Sequence, residues 1–366
     1  MYTRRGFLSC AAAGMAAAPW LVSASAAGYS AERYRRAFVI DALGGPSEYD
    51  EAELRDIKRS GVTAANRTMG EVGNVLNAFD LAIRDIAATD GHVAAHPDLL
   101  LKVLAAKDLT IARDTGRIGL IYGFQDTSML EGDLGRLTLF RNLGVRIVQL
   151  TYNRRNLMGD GCLEPADGGL SMLGREAIAE IHRMKQLLDL SHAGPRTIAE
   201  GIAASAGPLA ITHTGCRALA DLPRNTHDSS LKALANKGGV AGIYFMPFLR
   251  TSGQVHAEDV IRHLEHAVNV CGEDHVGLGT DGGISPAPTD AAAAEEQRKF
   301  FEQRRAANIA APGEAADVFN LVPEYNDPLR LLRLADDLAR RGWREARIDK
   351  ILGGNFVRLF RDAWGA

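Results

Sequence analysis

Leu187-Leu188-Asp189-Leu190-Ser191-His192 leads into Arg196-Thr197-Ile198-Ala199-Glu200-Gly201-Ile202-Ala203 and then into Leu209-Ala210-Ile211-Thr212-His213. Two short apolar runs, each closed by a histidine, flank a helical pattern, which is the signature of a parallel strand–helix–strand unit. The alternation continues in both directions. Strands are expected over 37–41, 62–68, 117–123, 145–151, 187–191, 209–212, 239–245 and 275–280. Helices are expected over 51–60, 72–89, 134–143, 172–185, 196–203, 229–236 and 258–270. Eight strands, each followed by a helix, predict an α/β chain folded as a single (β/α)8 TIM-type barrel, with reactive groups where strands run into the following loops. Extra C-terminal helices near 327–341 and 355–364 should cover its outside. The Ala/Glu/Arg-rich stretch 290–316 has helical composition but weak amphipathic register and reads as a cap after the last strand. No Pro/Gly/Ser-rich linker and no internal repeat divide residues 27–366, so one barrel domain is expected there.

The composition is that of a globular protein, with 46% hydrophobic and 24% charged residues. Lys and Arg number 42 against 45 Asp and Glu, for a formal charge of −3. No dense basic run exists, which argues against nucleic acid or anionic lipid as a partner. Thr3-Arg4-Arg5-Gly6-Phe7-Leu8 precedes an Ala-rich apolar run ending at Ala24-Ser25-Ala26. Residues 1–26 read as a twin-arginine signal peptide with a small-residue cleavage site, and a periplasmic location is expected. The apolar run is too short for a stable membrane span. Loss of Arg4 and Arg5 would leave the mature chain two charges more negative. Cys162, Cys216 and Cys271 would remain, an odd and widely spaced set that reads as small buried hydrophobes, with no disulfide framework.

Polar residues at the expected strand ends form a short list: Asp41, Gln125, Tyr152, His192, His213 and Asp281. Imidazoles on adjacent strands facing a carboxylate across a barrel mouth can hold a divalent metal and a water that the carboxylate deprotonates. His256, His263 and His266 fall on what reads as a polar helix face, His182 on another helix, and His92 and His96 in a loop, so all are expected at the surface. Gly277-Leu278-Gly279-Thr280-Asp281-Gly282 spells G-x-G-x-x-G, but Ser285-Pro286-Ala287-Pro288 stands where a phosphate-binding helix should begin, so no dinucleotide site is read there.

Gly168-Gly169-Leu170-Ser171 through Leu190-Ser191-His192, then Thr212-His213-Thr214, Arg224-Asn225, Val276-Gly277-Leu278-Gly279-Thr280-Asp281 and Ile351-Leu352-Gly353-Gly354-Asn355-Phe356 resemble blocks of the membrane (renal) dipeptidase family, peptidase family M19. That family is a branch of the metal-dependent amidohydrolase barrels. The resemblance implies that His192 and His213 are ligands of one zinc, that Arg224 holds the substrate carboxylate with Tyr152 and Asn225 nearby, and that Asp281 is the catalytic acid/base. The family's other zinc uses a His-x-Asp pair after the first strand and a bridging Glu after the third. Here Leu43 and Gly45 replace the pair, Gln125 replaces the bridging Glu and leaves at best a weak third ligand, and Tyr152 replaces a substrate-contacting His. Two negative charges are thereby removed from a site that must offset two cations. The expectation is an exported hydrolase that cleaves the amide bond of a dipeptide or small amino-acid derivative, with one zinc ion or none rather than two. Its His192 and His213 would hold a single metal or polarise the carbonyl directly. The rival readings are a non-catalytic carboxylate- or peptide-binding protein and a metal-free isomerase or tailoring enzyme on an exported metabolite. The partner is a small molecule, and a homo-oligomer is compatible with the chain.

Overall fold

The computed structural model describes residues 28–73 and 75–365; the expected signal segment lies outside the described residues. Eight parallel strands follow one another around a barrel: β1 (Ile40–Asp41), β2 (Ala64–Thr68), β3 (Ile118–Phe124), β4 (Val145–Gln149), β5 (Leu187–Asp189), β6 (Ala210–Thr214), β7 (Val240–Ile243) and β8 (Val276–Leu278). All eight overlap the expected segments. The ring is brought together between its ends by Ala42 N–H, which donates to the Leu278 carbonyl at 2.9 Å. The strands are buried along nearly their whole length, as parallel strands covered by helices must be.

Two pairings were not expected. Leu100–Lys102 adds a short strand beside the start of β3. Beyond the ends of β1 and β8, Gly44–Gly45 pairs in parallel with Gly282–Gly283.

The helices obey ordinary rules. Glu51–Ser60 starts at Asp50, whose side chain accepts from Glu53 N–H, and stops at Gly61 in the left-handed conformation. Arg330–Arg340 buries Leu331, Leu334, Ala335 and Leu338 along one stripe. The second expected helix begins later, at Ala78, and runs to Ala95. His92 is therefore helical, and its ring stacks on Tyr49 at 4.3 Å. Asn355–Trp364 does more than cover the outside. Its Phe356 and Phe360 join Ile40, Ala64, Leu187, Ala210 and Val240, the first residues of five strands, in one buried cluster. That cluster seals the end of the barrel opposite the strand C-termini.

His263 departs from expectation. It is buried (1% exposed), its Nδ1 accepts from Cys216 N–H at 2.8 Å, and its Nε2 donates to the Leu249 carbonyl. Burial pushes its pKa down to about 4, so it is a neutral structural imidazole. Cys162, Cys216 and Cys271 are all free thiols.

Candidate active site

Two buried aspartates build the mouth of the barrel. Asp189, at the end of β5, accepts from Ser191 N–H, Ser191 Oγ and Thr212 N–H through one oxygen and from Thr212 Oγ1 through the other. This staple joins β5 to β6 and fixes the turns that carry His192 and His213. Asp41, at the end of β1, accepts from Thr280 N–H at 2.7 Å and from Thr280 Oγ1 at 2.6 Å. It joins β1 to the segment after β8 and sets Asp281, whose N–H donates to the Leu43 carbonyl at 2.8 Å. His192 and Asp281 both sit at positive φ, +62° and +59°, a strained conformation for non-glycine residues that recurs at functional corners. His213 lies inside β6 rather than after it, where the pairing with β7 slips between Ile211 and Thr214. Such an irregularity re-aims a side chain.

The hydrogen-bond network fixes both tautomers. Arg224 donates to His192 Nε2 at 3.0 Å, so His192 Nδ1 carries the proton and gives it to Asn153 Oδ1 at 2.6 Å. Thr212 Oγ1 gives its proton to Asp189, so it accepts from His213 Nδ1 at 2.9 Å, which leaves His213 Nε2 as a bare lone pair. That nitrogen is buried without a partner. Burial, reinforced by the Arg224 charge, holds both imidazoles well below their ordinary pKa. They are neutral acceptors.

A cavity of about 210 Å³ lies against this cluster, lined by Tyr152, Asn153, His192, Arg224, Asp281 and Arg304 among others. Arg224 is buried (4% exposed) and lies near the Tyr244 and Phe248 rings, yet it makes no ion pair among the described residues. Asp281 makes no side-chain hydrogen bond or ion pair there either, and burial pushes its pKa up to about 7, with Arg224 pulling down and Asp41 pushing up. Tyr152 stacks on His192 at 4.2 Å, and burial keeps its phenol protonated.

The cavity roof comes from the expected cap, which forms a helix over Ala291–Ala306. Arg304 grips Glu314 with two bonds, at 2.7 and 2.9 Å, and reaches the Tyr152 hydroxyl. Asn153 Nδ2 donates to the Ile309 carbonyl and Arg154 to Asn308, which ties the cap to the loop after β4.

His192, Arg224, Asp281 and Tyr152 thus meet around one space, and His213, fully buried, packs behind them edge-on to the His192 ring at 4.9 Å. Asn225 does not join them. Its side chain bonds the Ala220 and Phe248 carbonyls and the Tyr244 hydroxyl, so it supports the wall from behind. Gln125 also stands apart, in a second cavity of about 280 Å³ lined by Leu43, Gly45, Arg67 and Asp281. Asn153, Arg304 and Glu314 were not singled out in the sequence. Only the polarity of Asn153 directly after Tyr152 offered a signal.

Fold and site define a (β/α)8 barrel of the amidohydrolase type, with its polar cluster at the strand C-termini. The membrane dipeptidase (peptidase family M19) model matches residues 42–303, and the chain belongs to this family of hydrolases. An amidohydrolase from Pseudomonas aeruginosa is 32% identical and superposes with a TM-score of 0.81 over 92% of this chain and 99% of its own. An uncharacterized protein in the pqqA 5′ region of Klebsiella pneumoniae is 26% identical over 78% of this chain and 97% of its own. A metallopeptidase from Rhodobacter sphaeroides, liganded with a phosphinate mimic of the dipeptide L-Ala-D-Ala, shares the fold at 20% identity and a TM-score of 0.74, over 90% of this chain and all of its own. The chain spans about half the length of several curated dipeptidases that it matches.

The family is generally metal-dependent, and the donors present here can be set against that chemistry. His213 Nε2 is free to coordinate, whereas His192 Nε2 is capped by a guanidinium. Leu43 and Gly45 offer no side-chain donor, and Gln125 offers only a neutral amide. Among the described residues, no three His, Cys, Asp or Glu side chains are grouped to hold an ion. The cations Arg67, Arg224 and Arg304 line the two cavities, with Asp281 and Glu314 as their only acids.

Proposed function

We propose that the chain is an exported hydrolase of small amides, a dipeptide or amino-acid derivative with a free carboxylate, whose centre no longer fits two zinc ions. The observation that carries this reading is a buried, unpaired guanidinium and an unbonded carboxylate facing the same small cavity. Binding a substrate carboxylate to Arg224 satisfies a charge that is otherwise costly to bury. The dipeptide mimic held by the Rhodobacter relative supports a substrate of this size.

The chemistry follows from the protonation states. A carboxylate with a pKa of about 7 is both a competent base and a competent acid near neutrality. Asp281 takes a proton from a water whose oxygen bonds to the amide carbon. It returns that proton to the leaving nitrogen as the C–N bond breaks, giving a carboxylic acid and an amine. His213 cannot donate to the carbonyl oxygen, because its Nε2 bears a lone pair. Tyr152 can, since burial keeps its phenol protonated and it lines the same cavity as Asp281. His192 is a neutral acceptor that orients Arg224. The twin-arginine pattern at Arg4-Arg5 supports a periplasmic site of action, and cleavage after Ala26 would leave residues 27–366 as the mature barrel domain.

The test is a library of dipeptides and N-substituted amino acids offered to the mature protein. The reading requires cleavage of at least one carboxylate-bearing amide, and loss of that cleavage in Asp281→Asn. Binding without turnover across the library would leave a carboxylate-binding protein instead.

A further inference from the structure

The second cavity has no role in the steps above, and its wall has an unusual charge pattern. Its sides are the backbone and side chains of Leu43–Ser47, the ends of β2 and β3 at Arg67, Thr68 and Gln125, and the Gly282–Gly283 strip. Asp281 lines both cavities and is the only acid on this one. The Arg67 guanidinium is fixed by two 3.0 Å bonds to Asp85. Asp85 lies behind it and also accepts from Gly70 N–H at 2.8 Å, so that carboxylate is turned away from the cavity. The Gln125 side chain has no hydrogen-bond partner among the described residues; only its backbone carbonyl is engaged, by Gln149. Ser47 and Thr68 add hydroxyls. The wall therefore offers the Gln125 amide and two hydroxyls, and an arginine whose charge is balanced by Asp85 behind it.

A substrate whose carboxylate sits on Arg224 and whose amide carbon faces Asp281 must extend its other end past Asp281, into this second space. In an ordinary dipeptide that end carries an α-ammonium. A cation there finds no free acid except the one engaged in catalysis, which leaves its charge unpaired. A hydrogen-bond-accepting or anionic group meets donors instead. Resting on the reading of Asp281 and Arg224 given above, we infer that the cavity of Arg67 and Gln125 is an acyl-group subsite. The preferred substrates are N-acylated amino acids, above all those whose acyl arm ends in a carboxylate or carbonyl, rather than free-amine dipeptides.

The experiment compares N-succinyl-alanine, N-acetyl-alanine and alanyl-alanine, by calorimetric affinity and by kcat/KM, in the wild-type protein and in Gln125→Glu and Arg67→Gln. Wild type should favour N-succinyl-alanine over alanyl-alanine by at least tenfold in affinity. Gln125→Glu, which adds an anion to the cavity without changing its size, should erase or reverse that preference. Arg67→Gln should reduce it; if that variant does not fold, the Gln125 comparison still decides. Equal or better binding of alanyl-alanine overturns the subsite while leaving amide hydrolysis standing. Tight succinyl binding with no cleavage of any of the three keeps the subsite and removes the hydrolytic reading. No binding of any of the three overturns the subsite.

Discussion

The two sides of the barrel mouth are built alike and equipped differently. On the β5–β6 side, Asp189 staples the strand ends and presents His192, His213 and, from the following loop, Arg224. On the β1 side, Asp41 makes the same pair of bonds to a Thr N–H and its hydroxyl, but the residues it presents are Leu43, Gly44 and Gly45. The scaffold of the second side is intact. What differs is the chemistry hung on it.

The steepest test of that contrast is Asp281, the residue both cavities share. Asp281→Asn should lower kcat/KM for any cleaved amide by about 10²–10⁴-fold while leaving carboxylate binding at Arg224 in place. In the wild type, kcat/KM should rise with pH around the value near 7 at which this carboxylate ionises. A flat profile through that range would remove Asp281 as the base.

Next in size is the clamp on the histidine side. Arg224→Ala should weaken a carboxylate ligand by about 2–5 kcal/mol, part of it the cost of leaving the ligand charge unpaired. The same change frees His192 Nε2 and should raise the affinity of added zinc. Unchanged calorimetric affinities would place Arg224 outside the site.

On the glycine side, the backbone resists restoration of the missing ligands. Gly45 has φ +118°, and a Cβ built on it would lie 2.9 Å from the Ala65 Cβ. Gly45→Asp should therefore destabilise the fold by about 1–3 kcal/mol. Adding Ala65→Gly should relieve the steric share and not the backbone share. Denaturant melts of the two single variants and the double variant measure both.

The last effect is on stability against pH. Asp281 and Asp41 have folded pKa values of about 7 and 6, both raised above 3.8 chiefly by burial. Between these limits the native state holds more protons than the unfolded chain, so their contribution is greatest in acid and is lost as pH rises through the folded values. Wild type should lose melting temperature relative to Asp281→Asn between about pH 4 and pH 8. A constant difference would contradict the raised value.

Much of this architecture was legible from the sequence. Buried parallel strands are apolar runs, and His192, His213 and Asp281 end or interrupt three of them. The parts that were missed share a cause. The Gly44–Gly45 and Gly282–Gly283 pairing has no side chains to pattern, and Leu100–Lys102 is three residues long. His263 sits on a helix whose sequence reads as polar, and only the tertiary fold supplies the Cys216 and Leu249 groups that bury it. Arg304 belongs to a helix with no buried residue, so no periodicity marks the one turn that reaches the cavity. Asn225 was misplaced because its neighbour Arg224 faces the cavity while its own amide faces backbone carbonyls.

The central claim is that the β1–β3 side no longer holds an ion. Elemental analysis of protein from its native host, repeated after dialysis against excess zinc, tests it most directly. The account predicts fewer than two zinc ions per chain in both samples. Two ions per chain at near-full occupancy would contradict it, and would mean that donors away from positions 43, 45 and 125 complete the centre.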